Sequence, residues 1–469
     1  MTVLRLPALL ALALVCTTIQ PARSNDLRAG FASVEITPTL GFRMSGYFYE
    51  RPNTGVKDLL YVHTVYLEQD GVRAAIAVCD LIAIYPELGS AVRIAVEEQL
   101  QIPRGHVVVS ATHTHTGPLY AGVLRDYFHD LAEARNGRDD LEGLDYHTQV
   151  SGRIVKSVRL AMNNAAPVVL GTGYVEEHRI SFNRRFHMRD GSVRFNPGIL
   201  NPDIVRPAGP IDPQVGLVQF LDASNQSPVG LLASFALHLD TVGGTLYSAD
   251  YPKILHDRLR EQYGERFVSL FATGTCGDIN HVDVSTRTVR KTEEIGGLLT
   301  DTIVAQLPKL HPRLRSQLGV RSATVNAPLQ VYTPARIDQA KRDMVRVGGT
   351  EATFLEQVET VKILDVARRD SQTSPLEVQV IRLTADTAVV ALPGEVFVEL
   401  GLAIKERSPF ATTLVMELAN DVPAYIPTRK AFAEGSYETV NSLIQPGGGE
   451  MMVEKAVELL QQLAIPGSR

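Results

Sequence analysis

The stretch "AAIAVCDLIAIYPELGSAVRIAVEEQLQIPRGHVVVSATHTH", residues 74–115, decides the fold. Residues 74–84 form an apolar run typical of a strand buried on both faces. Residues 86–100 have the apolar spacing of a helix, and residues 106–115 return to β-forming side chains. This strand–helix–strand order predicts an α/β core whose sheet faces are covered by helices.

The same alternation continues along the 469-residue chain. Apolar runs predict strands at 215–222, 228–240, 267–283, 376–383 and 386–392, and helical spacing predicts helices at 146–167, 251–264, 335–370 and 450–464. The Pro- and Gly-rich stretch 195–213 indicates a long surface loop and not a linker. We therefore expect a mixed α+β fold, with one large domain over residues 25–469 that has β-sheets flanked by helices.

The first 24 residues resemble a secretory signal peptide, with a basic Arg5, an apolar run and a small-x-small site before Asn25. Their removal, with Arg5 and Arg23, would take the formal charge from −6 to −8. We expect a secreted or periplasmic protein with no transmembrane segment in its mature chain. An acidic surface disfavours nucleic acid as a partner. Cys79 and Cys276 would remain, as a disulfide or as two buried thiols.

Two histidines end the second strand of the opening stretch. Residues i and i+2 of a strand share a face, so His113 and His115 should point together beyond its carboxyl end. Taken alone, this H-x-H pattern is equally compatible with two polar side chains bonded to backbone and with a metal site.

Other strand ends carry polar residues too, namely His238, Asp278, Asn280, His281 and Glu395. His238 alone would be an ordinary core histidine, and Glu395 alone a helix N-terminal acid. Histidines and a carboxylate from separate strand ends, with a position left for water, are together the composition of a catalytic zinc site. The pattern predicts one Zn²⁺ per chain.

The motif "SATHTHTGP" (110–118) is similar to the histidine motif of the neutral/alkaline, non-lysosomal ceramidase superfamily. The likeness extends from "RAGFASVEITPTLGFRMSGY" (28–47) through "CDL", "NRR", "YSADYP", "GDIN" and "LPGE" to "NDVPAYIPTRKAFAEGSYE" (420–438). It reaches about residue 445, and the family's separate C-terminal β-sandwich domain is expected to be missing from this chain.

The resemblance implies a role for each matching position. The implied zinc ligands are His113, His238, Glu395 and Tyr425. His115 matches a histidine beside the metal that handles protons. Tyr437 matches a tyrosine that hydrogen-bonds the developing oxyanion, and Arg184, with Arg185 as the alternative, matches an arginine that lines the site. Asp80 or Asp240 could orient a ligand histidine or cap a loop.

One position departs from the family. Asn280 stands where ceramidases have a serine, and His281 replaces a proline. Asparagine cannot act as a hydroxyl nucleophile, although it can hydrogen-bond. A zinc-activated water is then the expected nucleophile, and the substrate is expected to differ from ceramide itself.

The function expected is zinc-dependent hydrolysis of the amide bond in a ceramide-like or other N-acylated small molecule or lipid. The alternatives are an esterase or lactonase on the same scaffold, and a non-catalytic ligand-binding relative. Peripheral membrane contact and the oligomeric state stay open.

Overall fold

The computed structural model describes residues 26–142, 145–313 and 315–464. The expected signal peptide at 1–24 lies outside the described residues. The mixed α+β class is confirmed, with helices packed against several sheets. Among the described residues, no helix is both long and apolar enough to cross a membrane.

The helices and strands carry the following bounds. The helices are α1 Pro86–Leu100, α2 Val123–Asn136, α3 Tyr146–Asn163, α4 Pro252–Tyr263, α5 Thr292–Gln306, α6 Pro334–Asp343, α7 Phe354–Ala367, α8 Val398–Arg407, α9 Arg429–Glu434, α10 Tyr437–Val440 and α11 Gly448–Ala464. The strands are β1 Arg28–Glu35, β2 Gly55–Val56, β3 Tyr61–Gln69, β4 Val72–Cys79, β5 Val107–Ala111, β6 Ala166–Glu176, β7 Phe182–Asn183, β8 Arg185–Met188, β9 Val193–Phe195, β10 Ile204–Pro207, β11 Gln214–Asp222, β12 Pro228–Phe235, β13 Leu246–Tyr247, β14 Val268–Thr273, β15 Ile279–Asn280, β16 Pro312–Arg313, β17 Ser316–Pro328, β18 Thr373–Thr384, β19 Thr387–Ala391, β20 Glu395–Val396, β21 Thr412–Met416 and β22 Tyr425–Ile426.

Two sheets dominate the described part of the chain. The larger has nine strands in the order β14-β12-β11-β6-β1-β3-β4-β5, with β16 beside β6, and the smaller has the order β17-β18-β19-β21. Most neighbours are antiparallel, but β4–β5, β12–β14 and β19–β21 are parallel. The sheets pack face to face, because one apolar cluster contains Val65, Val108 and Val218 from the first and Ile381 and Leu414 from the second.

Helices cover the outer faces of both sheets. On α1, Pro86 occupies the first turn and every fourth residue from Leu88 to Leu100 is buried, which is the spacing of one helix face. Helices α1 and α3 pack together, α4 packs on α5 and β14, and α11 packs on β17 and β18. The predicted helices at 86–100, 146–167, 251–264 and 450–464 are thus present, with the second ending at Asn163.

Four predicted strands end earlier than expected. The strand predicted to 84 ends at Cys79, the one predicted to 115 ends at Ala111, the one predicted to 240 ends at Phe235, and the one predicted to 283 ends at Thr273. His113 has a φ of 77°, which no strand residue adopts. The two histidines of the H-x-H motif therefore lie in a loop and not on one strand face. The stretch 195–213 is also more regular than predicted, since β10 pairs with β8.

Cys79 and Cys276 are both buried free thiols, which excludes the alternative of a disulfide between them.

A glycine beside Glu395 permits a close backbone approach. A Cβ at Gly277 would lie 2.5 Å from the Glu395 carbonyl oxygen. We expect Gly277→Ala to lower the free energy of unfolding by about 1–3 kcal/mol, because backbone cannot move aside as a side chain can. Urea denaturation monitored by circular dichroism measures this change.

The matched control is Gly152→Ala within α3, where a Cβ meets nothing within 4 Å. It should raise the free energy of unfolding by about 0.5–1 kcal/mol, since alanine is the better helix former. Equal effects of the two substitutions would contradict the close approach at Gly277.

Candidate metal centre

The candidate ligands come from loops of the large sheet and from a separate two-stranded sheet, β20–β22. His113 follows β5 and His238 follows β12, each at the carboxyl end of a strand that has a parallel neighbour. Glu395 begins β20 and Tyr425 begins β22, and these short parallel strands pair Glu395 with Tyr425. Polar side chains beyond the carboxyl ends of parallel strands are where α/β folds place ligands.

Three imidazoles and one carboxylate converge there. The Nε2 atom of His113 lies 3.0 Å from His238 Nε2 and 3.3 Å from His115 Nε2. The Oε2 atom of Glu395 lies 3.4 Å from His113 Nε2 and 4.0 Å from His238 Nε2. The ligand atoms of all three histidines lie within 4.8 Å of one another.

Hydrogen bonding and burial set the protonation of these groups. His113 Nδ1 lies 2.7 Å from the Ile82 carbonyl oxygen, which can only accept, so Nδ1 carries the proton and Nε2 keeps its lone pair. Burial, with the charges of His113 and Arg184, holds the pKa of His238 well below its usual value. Burial alone would raise the pKa of Glu395, but His113, Tyr425 and Arg184 bring it below its ordinary value. His238 is therefore a neutral imidazole and Glu395 an ionised carboxylate at ordinary pH.

Such a set fits a divalent cation. Glu395 Oε2 is buried and has no hydrogen-bond partner in the described part of the chain, which is rare for a buried polar atom unless an ion or water completes it. The Nε2 atoms of His113 and His238, 3.0 Å apart, are ligand atoms of the type that zinc binds. We place the candidate metal among His113, His238 and Glu395.

Arg184 and Arg185 share Glu438 as a partner, but their other contacts differ. The Nη2 atom of Arg184 donates to Tyr425 Oη at 3.0 Å and to the Gly277 carbonyl at 2.8 Å. The guanidinium of Arg185 lies over the Phe397 ring instead. Of the two arginines offered by the sequence, Arg184 is the one that contacts the candidate ligand Tyr425.

Tyr437 stands beside the same group. Its ring centroid lies 5.3 Å from that of Tyr425, and the Arg184 guanidinium lies 5.8 Å above its ring. Burial, and then the charge of Glu395, raises the pKa of Tyr437 to about 12. Tyr437 is therefore a neutral hydroxyl at ordinary pH and can donate a hydrogen bond.

Asp240 lies beside His115 and is hydrogen-bonded to Tyr47, a residue that the sequence analysis did not identify. His115 Nδ1 lies 3.7 Å from Asp240 Oδ1, which accepts a hydrogen bond of 3.0 Å from the Tyr47 hydroxyl. Asp80, the other proposed orienting acid, accepts from Tyr61 N and Thr112 Oγ1 instead. Asp80 therefore holds the loop, which was the alternative stated for it.

The hydrogen bonds of Asn280 in the described structure are made with neighbouring loop residues and not with the imidazoles. Its Nδ2 donates to Asn196 Oδ1 at 2.8 Å and its Oδ1 accepts from Val282 N at 3.0 Å. Asn196 N in turn donates to the Arg184 carbonyl at 2.8 Å. The structure thus connects Asn280 to the centre through the loop that carries Asn196.

A buried acid behind the centre was not predicted. Glu417, after β21, accepts from Cys276 Sγ at 3.1 Å and from Val396 N at 2.6 Å. It joins the segment of Glu395 to Cys276, whose Sγ lies 3.8 Å from His238 Nδ1. A lone acid closing the apolar run "TTLVME" (412–417) was the only sequence signal for it.

A second cluster of metal-ligating side chains does not fit a cation. His129, Asp139 and Glu142 lie together. Asp139 and Glu142 are already paired with Arg43 and Arg125. Each of these two carboxylates is thus already held by a guanidinium group, which competes with a metal ion for its oxygens.

Comparison with known proteins points to one family. No family model matches the chain. The neutral ceramidase of Pseudomonas aeruginosa is 23% identical over an alignment that spans 98% of this chain and 77% of that protein. The predicted resemblance to the neutral/alkaline ceramidase superfamily is confirmed. This confirmation rests on a similarity that extends along nearly the whole chain.

Solved ceramidase structures share the fold. A crystal structure of the Pseudomonas aeruginosa neutral ceramidase superposes with a TM-score of 0.72 at 19% identity, covering 94% of this chain and 75% of that one. A structure described as ceramidase complexed with C2 gives a TM-score of 0.69 at 18% identity, with the same coverage.

The metal assignment can be tested by metal content. We expect purified protein to bind close to one zinc per chain, and His113→Ala or His238→Ala to weaken binding by more than about 100-fold, since loss of a ligand exceeds the effect of outer partners. Dialysis against zinc followed by atomic emission analysis measures the occupancy.

His129→Ala, in the arginine-neutralised cluster, is the control and should leave zinc content unchanged. Full zinc in both the His113 and His238 variants would overturn the assignment.

Proposed function

We propose that this chain is a zinc-dependent hydrolase that cleaves the amide bond of a ceramide-like or other N-acylated compound. The observation that carries the proposal is the convergence of His113 Nε2, His238 Nε2 and Glu395 Oε2 on one point. The similarity to a neutral ceramidase over 98% of the chain supports it. We further propose that residues 25–469 act as one catalytic domain and that residues 1–24 direct export to the periplasm or the outside.

The proposed zinc ligands are His113, His238, Glu395 and Tyr425. Two neutral imidazoles with oxygen donors are a donor set that zinc accepts. When bound, zinc would supply Lewis-acid chemistry, activating water and polarising the substrate carbonyl.

Proton transfer is assigned to His115. Its Nε2 faces the ligand His113 at 3.3 Å, which places it within reach of water at the centre. His115 would accept the proton of the attacking water and later deliver it to the leaving amine. Asp240, on the Nδ1 side of the ring, would favour the orientation that exposes Nε2.

Charge stabilisation is assigned to Tyr437 and Arg184. The neutral Tyr437 hydroxyl can donate a hydrogen bond to the oxyanion that develops at the substrate's carbonyl oxygen. Arg184 holds Tyr425 by a hydrogen bond and contributes a fixed positive charge beside it.

A specific observation favours a second candidate, an esterase or lactonase. With Asn280 in place of the family's serine, the site has lost a hydroxyl, and ester cleavage needs less help at its leaving group than amide cleavage does. Steady-state kinetics on an N-dodecanoyl amine and the matching dodecanoyl ester separate the two candidates. No turnover of either compound by the zinc-loaded protein would favour the non-catalytic relative.

His115 should be needed for rate and not for metal. We expect His115→Ala to retain zinc while its kcat falls about 10²–10⁴-fold, the usual contribution of a general base. Zinc analysis and kinetics on the same sample give both values.

The matched comparison for His115→Ala is His113→Ala, two residues away, which should lose both zinc and activity. Loss of zinc from His115→Ala would make His115 a ligand instead.

Asn280 should act by hydrogen bonding alone. Asn280→Ala is expected to lower kcat/KM by about 10–150-fold, equivalent to about 1–3 kcal/mol. Asn280→Ser should keep measurable activity, because a hydroxyl still hydrogen-bonds. Kinetics of both variants on the amide and the ester test this role.

Efficient hydrolysis of long-chain ceramide by the unaltered protein would contradict the idea that Asn280 moves the substrate preference. Full activity of Asn280→Ala would remove the residue from the mechanism.

A further inference from the structure

A cavity lies away from the candidate metal centre. It has a volume of about 1000 Å³ and is bounded by β1, β3 and β14 and by helices α3 and α4. Its lining includes none of His113, His115, His238, Glu395 or Tyr425. Cavities of this size are in the range that holds small-molecule ligands.

Two histidines form one wall of this cavity. His63 on β3 and His256 on α4 are 8% and 6% exposed, and their ring centroids are 4.3 Å apart. His63 Nδ1 bonds to Ser33 Oγ and His256 Nδ1 bonds to Ser269 Oγ, at 2.8 and 2.5 Å.

His256 has an unused nitrogen. Its Nε2 is buried and has no hydrogen-bond partner in the described part of the chain. With Nδ1 bonded to Ser269, either tautomer leaves Nε2 with one hydrogen bond to make. A buried polar atom without a partner is costly and marks a position where a ligand or ordered water is expected.

The same wall carries two cations. Lys253 and Arg260 lie three residues before and four residues after His256, so all three side chains share one face of α4, and all line the cavity. Their ion-pair partners, Asp257 and Glu265, are more than half exposed. Such exposed pairs are weak, which leaves both cations available to another anion.

Besides Asp257 and Glu265, three acids line the cavity, namely Asp58, Asp80 and Asp222. Asp58 accepts a hydrogen bond from Ser248 Oγ, and Asp222 accepts from Ser224 N and Oγ. Burial raises the pKa of Asp80 to about 7. Burial, followed by the charges of Lys253 and Arg260, lowers the pKa of His256 to about 3, so that its ring is a neutral hydrogen-bonding group.

The remaining wall is apolar and long. It is formed by Phe31, Leu59, Leu160, Val229 and Phe267. We propose that this cavity binds a long-chain carboxylate, with its head group at His256, Lys253 and Arg260 and its hydrocarbon chain along this apolar wall. The assignment rests on residues outside the metal centre and does not depend on the proposed hydrolase activity.

Calorimetry with dodecanoate, kept below its micelle concentration, tests the head-group site. Arg260→Gln is expected to weaken binding about three- to fivefold, and the double variant Lys253→Gln/Arg260→Gln about tenfold or more, as each cation is lost. His256→Leu should also weaken binding, and dodecan-1-ol should bind more weakly than dodecanoate.

The matched control is Arg258→Gln. Arg258 is on the same helix and forms a similar exposed ion pair, with Asp301, but does not line the cavity. It should bind dodecanoate within twofold of the unaltered protein. Equal weakening by Arg258→Gln and Arg260→Gln, or no effect of either cavity variant, would overturn the proposal. Because Arg260 is partly exposed, its variant stays informative even if His256→Leu fails to fold.

Location is tested separately, since the proposed active site could also bind a carboxylate. A dodecanoate probe with a photoreactive diazirine at its chain end should label peptides that carry β1, α3 or the loop before β14. Labelling should persist in His113→Ala, which removes a proposed zinc ligand. Labels found only near His113, Glu395 or Tyr437 would show that the carboxylate binds at the metal centre, and the cavity proposal would fail while the proposed function stands.

Discussion

The candidate metal centre depends on the meeting of His113 Nε2 and His238 Nε2 at 3.0 Å, with Glu395 Oε2, which has no hydrogen-bond partner among the described residues, 3.4 Å from the former. All three residues are buried, and all three atoms are of the type that binds a metal ion. The two histidines belong to loops of the large sheet, whereas Glu395 belongs to a short strand beside the small sheet. Face-to-face packing of the two sheets is therefore what assembles the centre.

Backbone hydrogen bonds hold these loops against one another. His113 N donates to Leu81 O and His115 N donates to Leu239 O, so the H-x-H loop is attached to the strand ends on both sides. Gly277 N donates to Val396 O, which fixes the segment of Glu395. Because each link is a main-chain bond in a buried setting, breaking it would expose an unsatisfied polar group. The ligand positions are set by these bonds more than by the strands that precede them.

The sequence predicted the elements better than their ends. Apolar spacing placed α1 at 86–100 as observed, since that spacing reflects a buried helix face. It could not show that β5 stops at Ala111, because the residues beyond are still β-formers and only the left-handed φ of His113 turns the chain away. The ligand set came from the family resemblance. Tyr47 and Glu417 were missed because each finds its partner, Asp240 or Cys276, more than a hundred residues away by tertiary packing alone.

The adjacent residues Arg184 and Arg185 both balance the charge of one buried acid. Arg184 and Arg185 bond to opposite oxygens of the fully buried Glu438, each at 2.9 Å. Buried ion pairs gain little net stability, because both partners lose their hydration. With Glu395 ionised and Glu434 3.4 Å from Arg185, the five side chains sum to one negative charge. A divalent ion at the proposed site would then leave an excess of positive charge. In the proposed mechanism, an oxyanion forming beside Tyr437 would reduce that excess, whereas a neutral amide would not, so these charges would favour the transition state over the bound substrate.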